Sequence, residues 1–550
     1  IEPGTTVLFN QGLSLNVDGR LLAAGEETNR IRFTRNSGVT SWNRIDFRAS
    51  ALESRIAYAD IDGASAAGNI RGRDMSIVLD HINFTNTLQQ LVTLDDSSCV
   101  IQFCHFPSIQ NNELIHFHDM PSTGHALIAN CLFGTPGIPA TSGYNDIVDF
   151  TGGNRPGPIV EFIGNIFLSS VDDCFDMDST DAHIEGNIFI NVRQDAQRDS
   201  GSYPITTGVE GPGTSQLVVC RNIIYDCEHF LLIKDRGAIL AQNNTILRLA
   251  TNTAARTDGG AQIPPGLINF SEPWRGTAGG DGAYVEGNIA ADLKAPALNF
   301  YTNSAMFLVV NQSLIQGQAL PGLGNLTGDP QFVSPSNLTY LNIRSNLALA
   351  LGSPCIGTGP NGLDMGALVP AGASVSGEPA SPTTSTSAIL RVAGPGIFAF
   401  RWKLNDGPWS SEVALADPLV FSATMFENAR PITLSNLVAG TYTVSVVGKN
   451  SAGSWQDTNS PTRSRTWSVQ SESTPQIDWI ARTGDSVTIH FQAKAATTYS
   501  VLYRDNLDPA HPWTKLEDVA APLVDTAVEI TDSGIDARTT RYYQLVTPAQ

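Results

Sequence analysis

The chain has 550 residues, 16% of them charged, and its 33 basic residues against 53 acidic ones give a net charge of −20. That balance argues against nucleic acid and anionic membrane as partners, since both are polyanions. No apolar run approaches the roughly 20 residues that a membrane-spanning helix needs, and 49 glycines with 31 prolines point to a turn-rich, all-β chain.

Residues 1–60 carry short alternating runs, TVLFNQGLSLNVDG, IRFTRN and RIDFRAS, broken by Gly, Asn and Asp. Such alternation is the pattern of short strands with one buried face. A β pattern starting directly at Ile1 is what a processed mature chain is expected to show. Seven cysteines (Cys99, Cys104, Cys131, Cys174, Cys220, Cys227 and Cys355) form no CxxC pair, which argues against a zinc site. They are expected as buried free thiols, with Cys220 and Cys227 the pair to test for a bridge.

Apolar triplets then recur: CHF at Cys104, CLF at Cys131, NIF at Asn165 and Asn187, NII at Asn222, NTI at Asn244 and NIA at Asn288. Their spacings are 27, 34, 22, 35, 22 and 44 residues. A coil of about 22 residues with insertions on some turns is the signature of a solenoid. Asparagine suits a column at a tight corner because it tolerates left-handed backbone and its amide can bond the asparagine of the next coil. The column resembles the asparagine ladder of right-handed parallel β-helices, the pectate-lyase-like superfamily, over roughly residues 1–368. The segment Gly328 to Ala367 looks like the closing coil of many secreted bacterial members. The resemblance implies a right-handed parallel β-helix that is secreted or displayed at the cell surface.

Within the repeats, Asp146 to Asp181 holds seven aspartates in 36 residues, alternating with Ile147, Val148, Phe150, Phe175 and Met177. Acids in that alternation are expected on the outer face of strands. Aligning the segments that begin at Glu113, Asp146, Asp173, Pro204 and Leu231 stacks His116, Asp149, Asp176, Thr206 or Thr207, and Lys234 in one column. Flanking columns hold Glu113, Asp146 and Asp173, and His118, Thr151 and Asp178. Stacked coils bring such residues about 4.8 Å apart. Carboxylates at that distance repel unless neutralised, and calcium, which takes six to eight oxygens, is suited to the task.

The spacing of Asp149, Asp172, Asp173 and Asp176 also resembles the four-aspartate calcium site of the family 9 pectate lyases, one aspartate on a coil and a DDxxD group on the next. The resemblance implies Ca2+ as cofactor, these four residues as its ligands, and β-elimination on a uronate polysaccharide. That family carries its base lysine on the following coil, whereas Tyr203 to Gly211 contains no lysine here. Lys234, Arg198 and His116 are the candidate proton acceptors, although Lys234 beside Asp235 reads equally as an ion pair. Paired aspartates, Asp178 among them, would instead suit a glycoside hydrolase. A non-catalytic, glycan-binding adhesin is a third reading. Asp146 and the loop aromatics Tyr144, Tyr203 and Trp274 are candidate substrate contacts. The expected partner is a polysaccharide, without nucleic acid or membrane span, and the chain is expected to act as a monomer.

After Ala367 the pattern changes. Pro370 to Ser387 reads as a linker. Residues 369–472, with runs ILRVAG, FAFRWKL, ITLSNL and GTYTVSVVGKN and with Trp402, Trp409, Trp455 and Trp467, look like a fibronectin type III module. Residues 473–550 repeat the β signal and are expected to form a second small β-sandwich.

Overall fold

The computed structural model describes all residues except 88, 111, 136–145, 194–200, 251–256, 259–260, 426–428, 471–473, 537–539 and 550. Among the described residues, eleven strands from Leu15–Val17 to Leu298–Asn299 form one sheet whose spatial order is the chain order. Every pairing in it is parallel, for instance Ile115–His118 on Val148–Thr151 and Val148–Thr151 on Phe175–Asp178. A second parallel sheet takes the other strands of each coil, such as Val160–Ile163 and Ile166–Phe167 on Ala182–Glu185 and Ile188–Ile190. Strands that meet only the next coil, always in parallel, make a parallel β-helix.

Alternation along each strand sends every second side chain inward. Phe84, Phe106, Phe133, Phe167 and Phe189 stack in one interior column with ring centroids 5.3, 4.5, 4.7 and 4.9 Å apart. Stacked aromatic pairs contribute about 0.5–1.5 kcal/mol each beyond their area. All seven cysteines are buried and unbridged.

A ladder runs along one corner. Asn165 donates its backbone N–H and its Nδ2 to Asn187 Oδ1, at 2.8 and 3.0 Å, and the same pair of bonds links Asn187 to Asn222, Asn222 to Asn244 and Asn244 to Asn288. The left-handed backbone sits one residue earlier than expected: Phe103, Asn130, Gly164, Gly186, Arg221, Asn243, Gly287 and Gln312 have φ between 44° and 70°. The turn residue is of several types and ranges from exposed Phe103 and Asn130 to buried Asn243, whereas the residue after it is buried throughout and must satisfy a neighbouring coil. Other side chains extend the ladder at both ends. Cys131 N–H donates to Asn165 Oδ1 at 3.0 Å, and Asn288 N–H to Ser313 Oγ at 3.1 Å.

The chain divides into two compact units. The first comprises residues 1–379, 388–434 and 442–466, and the second 380–387, 435–441 and 467–550. Inside the first, the antiparallel strands Ile397–Leu404 and Val444–Asn450 lie against the outside of the β-helix. Phe398 packs with Val218, Cys220, Leu240 and Tyr284, while Asn450 Nδ2 and Ser454 Oγ donate to Glu161 at 2.7 and 2.6 Å. The second unit holds two antiparallel sheets over a shared core of Val487, Ile489, Phe491, Tyr499 and Val501. Among the described residues no helix is long and apolar enough to cross a membrane.

Candidate active site, an acidic pocket on the β-helix face

The eleven-stranded sheet sets the acids in rows. His116, Asp149, Asp176 and Thr206 occupy successive coils of one row, and His118, Thr151, Asp178 and Gly208 those of the next but one. Beyond Thr206 the row continues with Leu232, not Lys234. The run Leu231, Leu232, Ile233 lacks alternation, so an alignment built on alternation slips there by two residues. Lys234 comes to lie beside Gly208 instead. A Cβ at 208 would overlap Asp178 Oδ1 and stand 3.5 Å from Lys234 Cε, so the glycine is what lets both side chains cross that coil.

Asp146, Asp172, Asp173 and Asp176 line a pocket of about 100 Å³ together with Gly201, Tyr203, Lys234, Glu272 and Arg275. Asp146, Asp172 and Asp173 each bring a carboxylate oxygen within 4.8 Å of the other two. Asp173 is buried and held on both sides: Oδ1 accepts from Tyr203 N–H at 2.7 Å and Oδ2 from Thr206 Oγ1 at 2.8 Å. Asp173 N–H donates in turn to Asp146 Oδ1 at 3.0 Å. The Oδ1 atom of Asp176 is buried with no hydrogen-bond partner among the described residues.

Burial, and then Asp172 and Asp176, push Asp146 and Asp173 well above the usual carboxylate range. Burial raises Asp176 as well, against the pull of Lys234, and burial followed by Asp176 lifts Asp178 to about 7. Two charged carboxylates at this separation repel by about 3 kcal/mol at an effective dielectric of about 20. Three such groups therefore need either protons or a cation. Two oxygens on one calcium, each at about 2.4 Å, stand at most about 4.8 Å apart. The cluster meets that limit, and Asp176 Oδ1 adds an oxygen in need of a partner, so these residues fit the ion implied by the resemblance.

The two cations arrive from different coils. Lys234 follows the short strand Leu231–Leu232. Glu272 precedes and Arg275 ends the 3-10 turn Pro273–Arg275, whose loop folds back on the preceding coil: Asp235 N–H donates to Ala278 O at 2.8 Å and Arg236 N–H to Gly279 O at 3.0 Å. Glu272 Oε2 thereby stands 3.5 Å from Lys234 Nζ. Burial opposes the charge on Lys234, but Asp176, Glu272, Asp173 and Asp178 together hold its pKa above the ordinary lysine value. Asp235 instead accepts from Ala278 N–H at 2.9 Å.

The remaining sequence candidates are dispersed. Asp149 shares a row with Asp176, but its Oδ2 lies 3.0 Å from His116 Nδ1, and this contact raises the pKa of His116. His118 is exposed beside Asp119 at 3.2 Å. Tyr203 is buried with its ring on His229 at 4.3 Å, so what it offers the pocket is its backbone N–H. Trp274 meets Phe300 at the rim of a neighbouring cleft. Arg198 and Tyr144 lie outside the described residues. Glu272 and Arg275 were not legible as site residues, because in SEPWRG only the ring of Trp274 stands out.

A second group of potential ligands, His183, Glu185 and Cys220, is knit into the structure. His183 bridges Ser451 Oγ at 2.9 Å and Glu185 at 3.0 Å, and Arg221 pairs with Glu185 at 2.8 Å. No protein-family model matches the chain, and no curated protein matches it.

Proposed function

We propose that the chain is a secreted, calcium-dependent polysaccharide lyase that cleaves uronate-containing glycans by β-elimination. The observation that carries this reading is the convergence of five carboxylates and two cations, Lys234 and Arg275, on one pocket of a parallel β-helix. The cation ligands proposed are Asp146, Asp172, Asp173 and Asp176, with Asp149 engaged by His116 instead. When bound, calcium would hold the sugar carboxylate and acidify the C5 hydrogen.

Lys234 is the proposed base. It takes the C5 proton, the C5–H electron pair becomes the C4–C5 double bond, and the C4–O bond breaks with its pair leaving on oxygen. That oxygen gains a proton, for which Asp178, raised to about 7, is the proposed donor. Lys234 must be neutral to act, and neutralising the carboxylates around it removes the charge that holds its proton. Glu272 fixes the amine from the opposite side of the pocket. Arg275, exposed at the rim, supplies positive charge toward an anionic chain in a protein that is otherwise acidic.

The value for Asp178 also favours a second reading, a glycoside hydrolase in which Asp178 protonates the leaving oxygen and a neighbouring carboxylate acts as nucleophile or base. Incubation with uronate polymers and calcium separates the two. The ultraviolet absorbance of an unsaturated uronate supports the lyase, and new reducing ends without it assign the hydrolase. Binding without turnover would make the chain an adhesin.

A further inference from the structure

The acidic pocket is one end of a longer feature. Toward the C-terminal coils of the same sheet, Pro264, Pro265, Pro273, Trp274, Asn299 and Phe300 line an open cleft of about 720 Å³. Asn299 stands in the row that runs back through Asn269, Leu232 and Thr206 to Asp176. Four coil steps separate Asn299 from Asp176, roughly 19 Å at the strand spacing. One turn joins the two sites: Glu272 and Arg275 face the acidic pocket, while Pro273 and Trp274 line the cleft.

The chemistry of the cleft is the reverse of the pocket's. None of its described lining side chains is ionisable, and Asn299 commits Nδ2 to Pro265 O and Asn269 Oδ1, both at 2.9 Å. Trp274 and Phe300 meet edge to face, with centroids 5.9 Å apart at 64°, and Phe300 is 39% exposed. Aromatic faces suit the apolar face of a pyranose ring. A carboxylate here would lose water against proline and aromatic carbon with no cation among the described lining residues to compensate.

We propose that this cleft is a subsite for a neutral sugar, so that the substrate is a heteropolysaccharide in which an uncharged unit follows the uronate held at the acidic pocket. The assignment of the uronate rests on the lyase reading, whereas the neutral subsite can be tested without turnover. The test is calorimetric titration of the full chain, in chelator, with the neutral hexasaccharides of galactose, glucose, mannose and xylose, for wild type, Trp274→Ala and Phe300→Ala. At least one hexasaccharide should bind, and Trp274→Ala should weaken it about tenfold, with the melting temperature checking that the variant is folded. No binding by any of the four, or binding unchanged in both variants, overturns the subsite. Cleavage assays complete the test. Wild type should prefer a mixed uronate polymer over a uronate homopolymer, and Trp274→Ala should abolish that preference. An equal loss on both polymers overturns the substrate assignment, and hexasaccharide binding without any cleavage overturns the lyase reading alone.

Discussion

Glu272 Oε2 stands 3.5 Å from Lys234 Nζ, although 38 residues of sequence and a back-folded loop separate them. The contact positions the one lysine among the acids. Lys234→Ala is therefore expected to lower elimination by about 10²- to 10⁴-fold, the usual contribution of a general base. Binding of the polymer should persist, as measured by affinity electrophoresis. Glu272→Gln should act in the same direction but more weakly, because the amine remains and only its anchor changes.

Gly208 gives a steric test. Alanine there would overlap Asp178 Oδ1 and crowd Lys234, displacing both side chains from their present positions. Turnover by Gly208→Ala should fall by at least about tenfold, with a stability loss of about 1–3 kcal/mol from overpacking. Unchanged turnover would show that neither side chain needs its place.

Glu286 sets a pH dependence away from the acidic pocket. Burial lifts its carboxyl to about 7, with Gln242 Nε2 donating to it at 3.0 Å. A raised carboxylate favours the fold while protonated. This contribution is complete below the unfolded value near 4.5 and is lost as pH rises through about 7, for a difference of up to about 3 kcal/mol. Melting temperature should decline across that window in wild type, and Glu286→Gln should flatten the decline.

The ladder should be costliest to break in its middle. Asn187 donates Nδ2 to Phe162 O and Asn222 Oδ1 and accepts two bonds from Asn165, all while buried. Asn187→Ala leaves several of these groups unpaired, for a loss of about 3 kcal/mol or more, whereas Ser313→Ala at the ladder's end should lose about 1 kcal/mol. Denaturant midpoints of the two variants provide the comparison.

The β-helix was legible because its repeat lies in the residues themselves: the Asn165, Asn187, Asn222, Asn244 and Asn288 column is a column of hydrogen bonds. The row of His116, Asp149 and Asp176 was legible too, since alternation fixes which side chains face out. Sequence alignment failed at Lys234, where three successive apolar residues erase the alternation and the register moves by two. It also could not reveal which carboxylates converge. Asp149 and Asp146 are both acids of the same segment, and the contact between Asp149 and His116 decides between them only in three dimensions. Glu272 and Arg275 reach the pocket through a loop that folds back across a coil, and no local pattern announces such a path.

If calcium binds the folded chain alone, adding it at about 100 times its dissociation constant should stabilise by about 2.7 kcal/mol. Chelation should reverse the gain, and differential scanning calorimetry would register both. Asp172→Asn should abolish the effect, whereas Asp149→Asn should leave most of it.

Calorimetric titration of calcium into wild type and Asp176→Asn tests the central claim most directly, because Asp176 Oδ1 is a buried carboxylate oxygen without a hydrogen-bond partner among the described residues. One calcium per chain at this site, bound at least about tenfold more weakly by the variant, is the predicted result. Absence of calcium binding by the wild type, or binding that the substitution does not change, would contradict it.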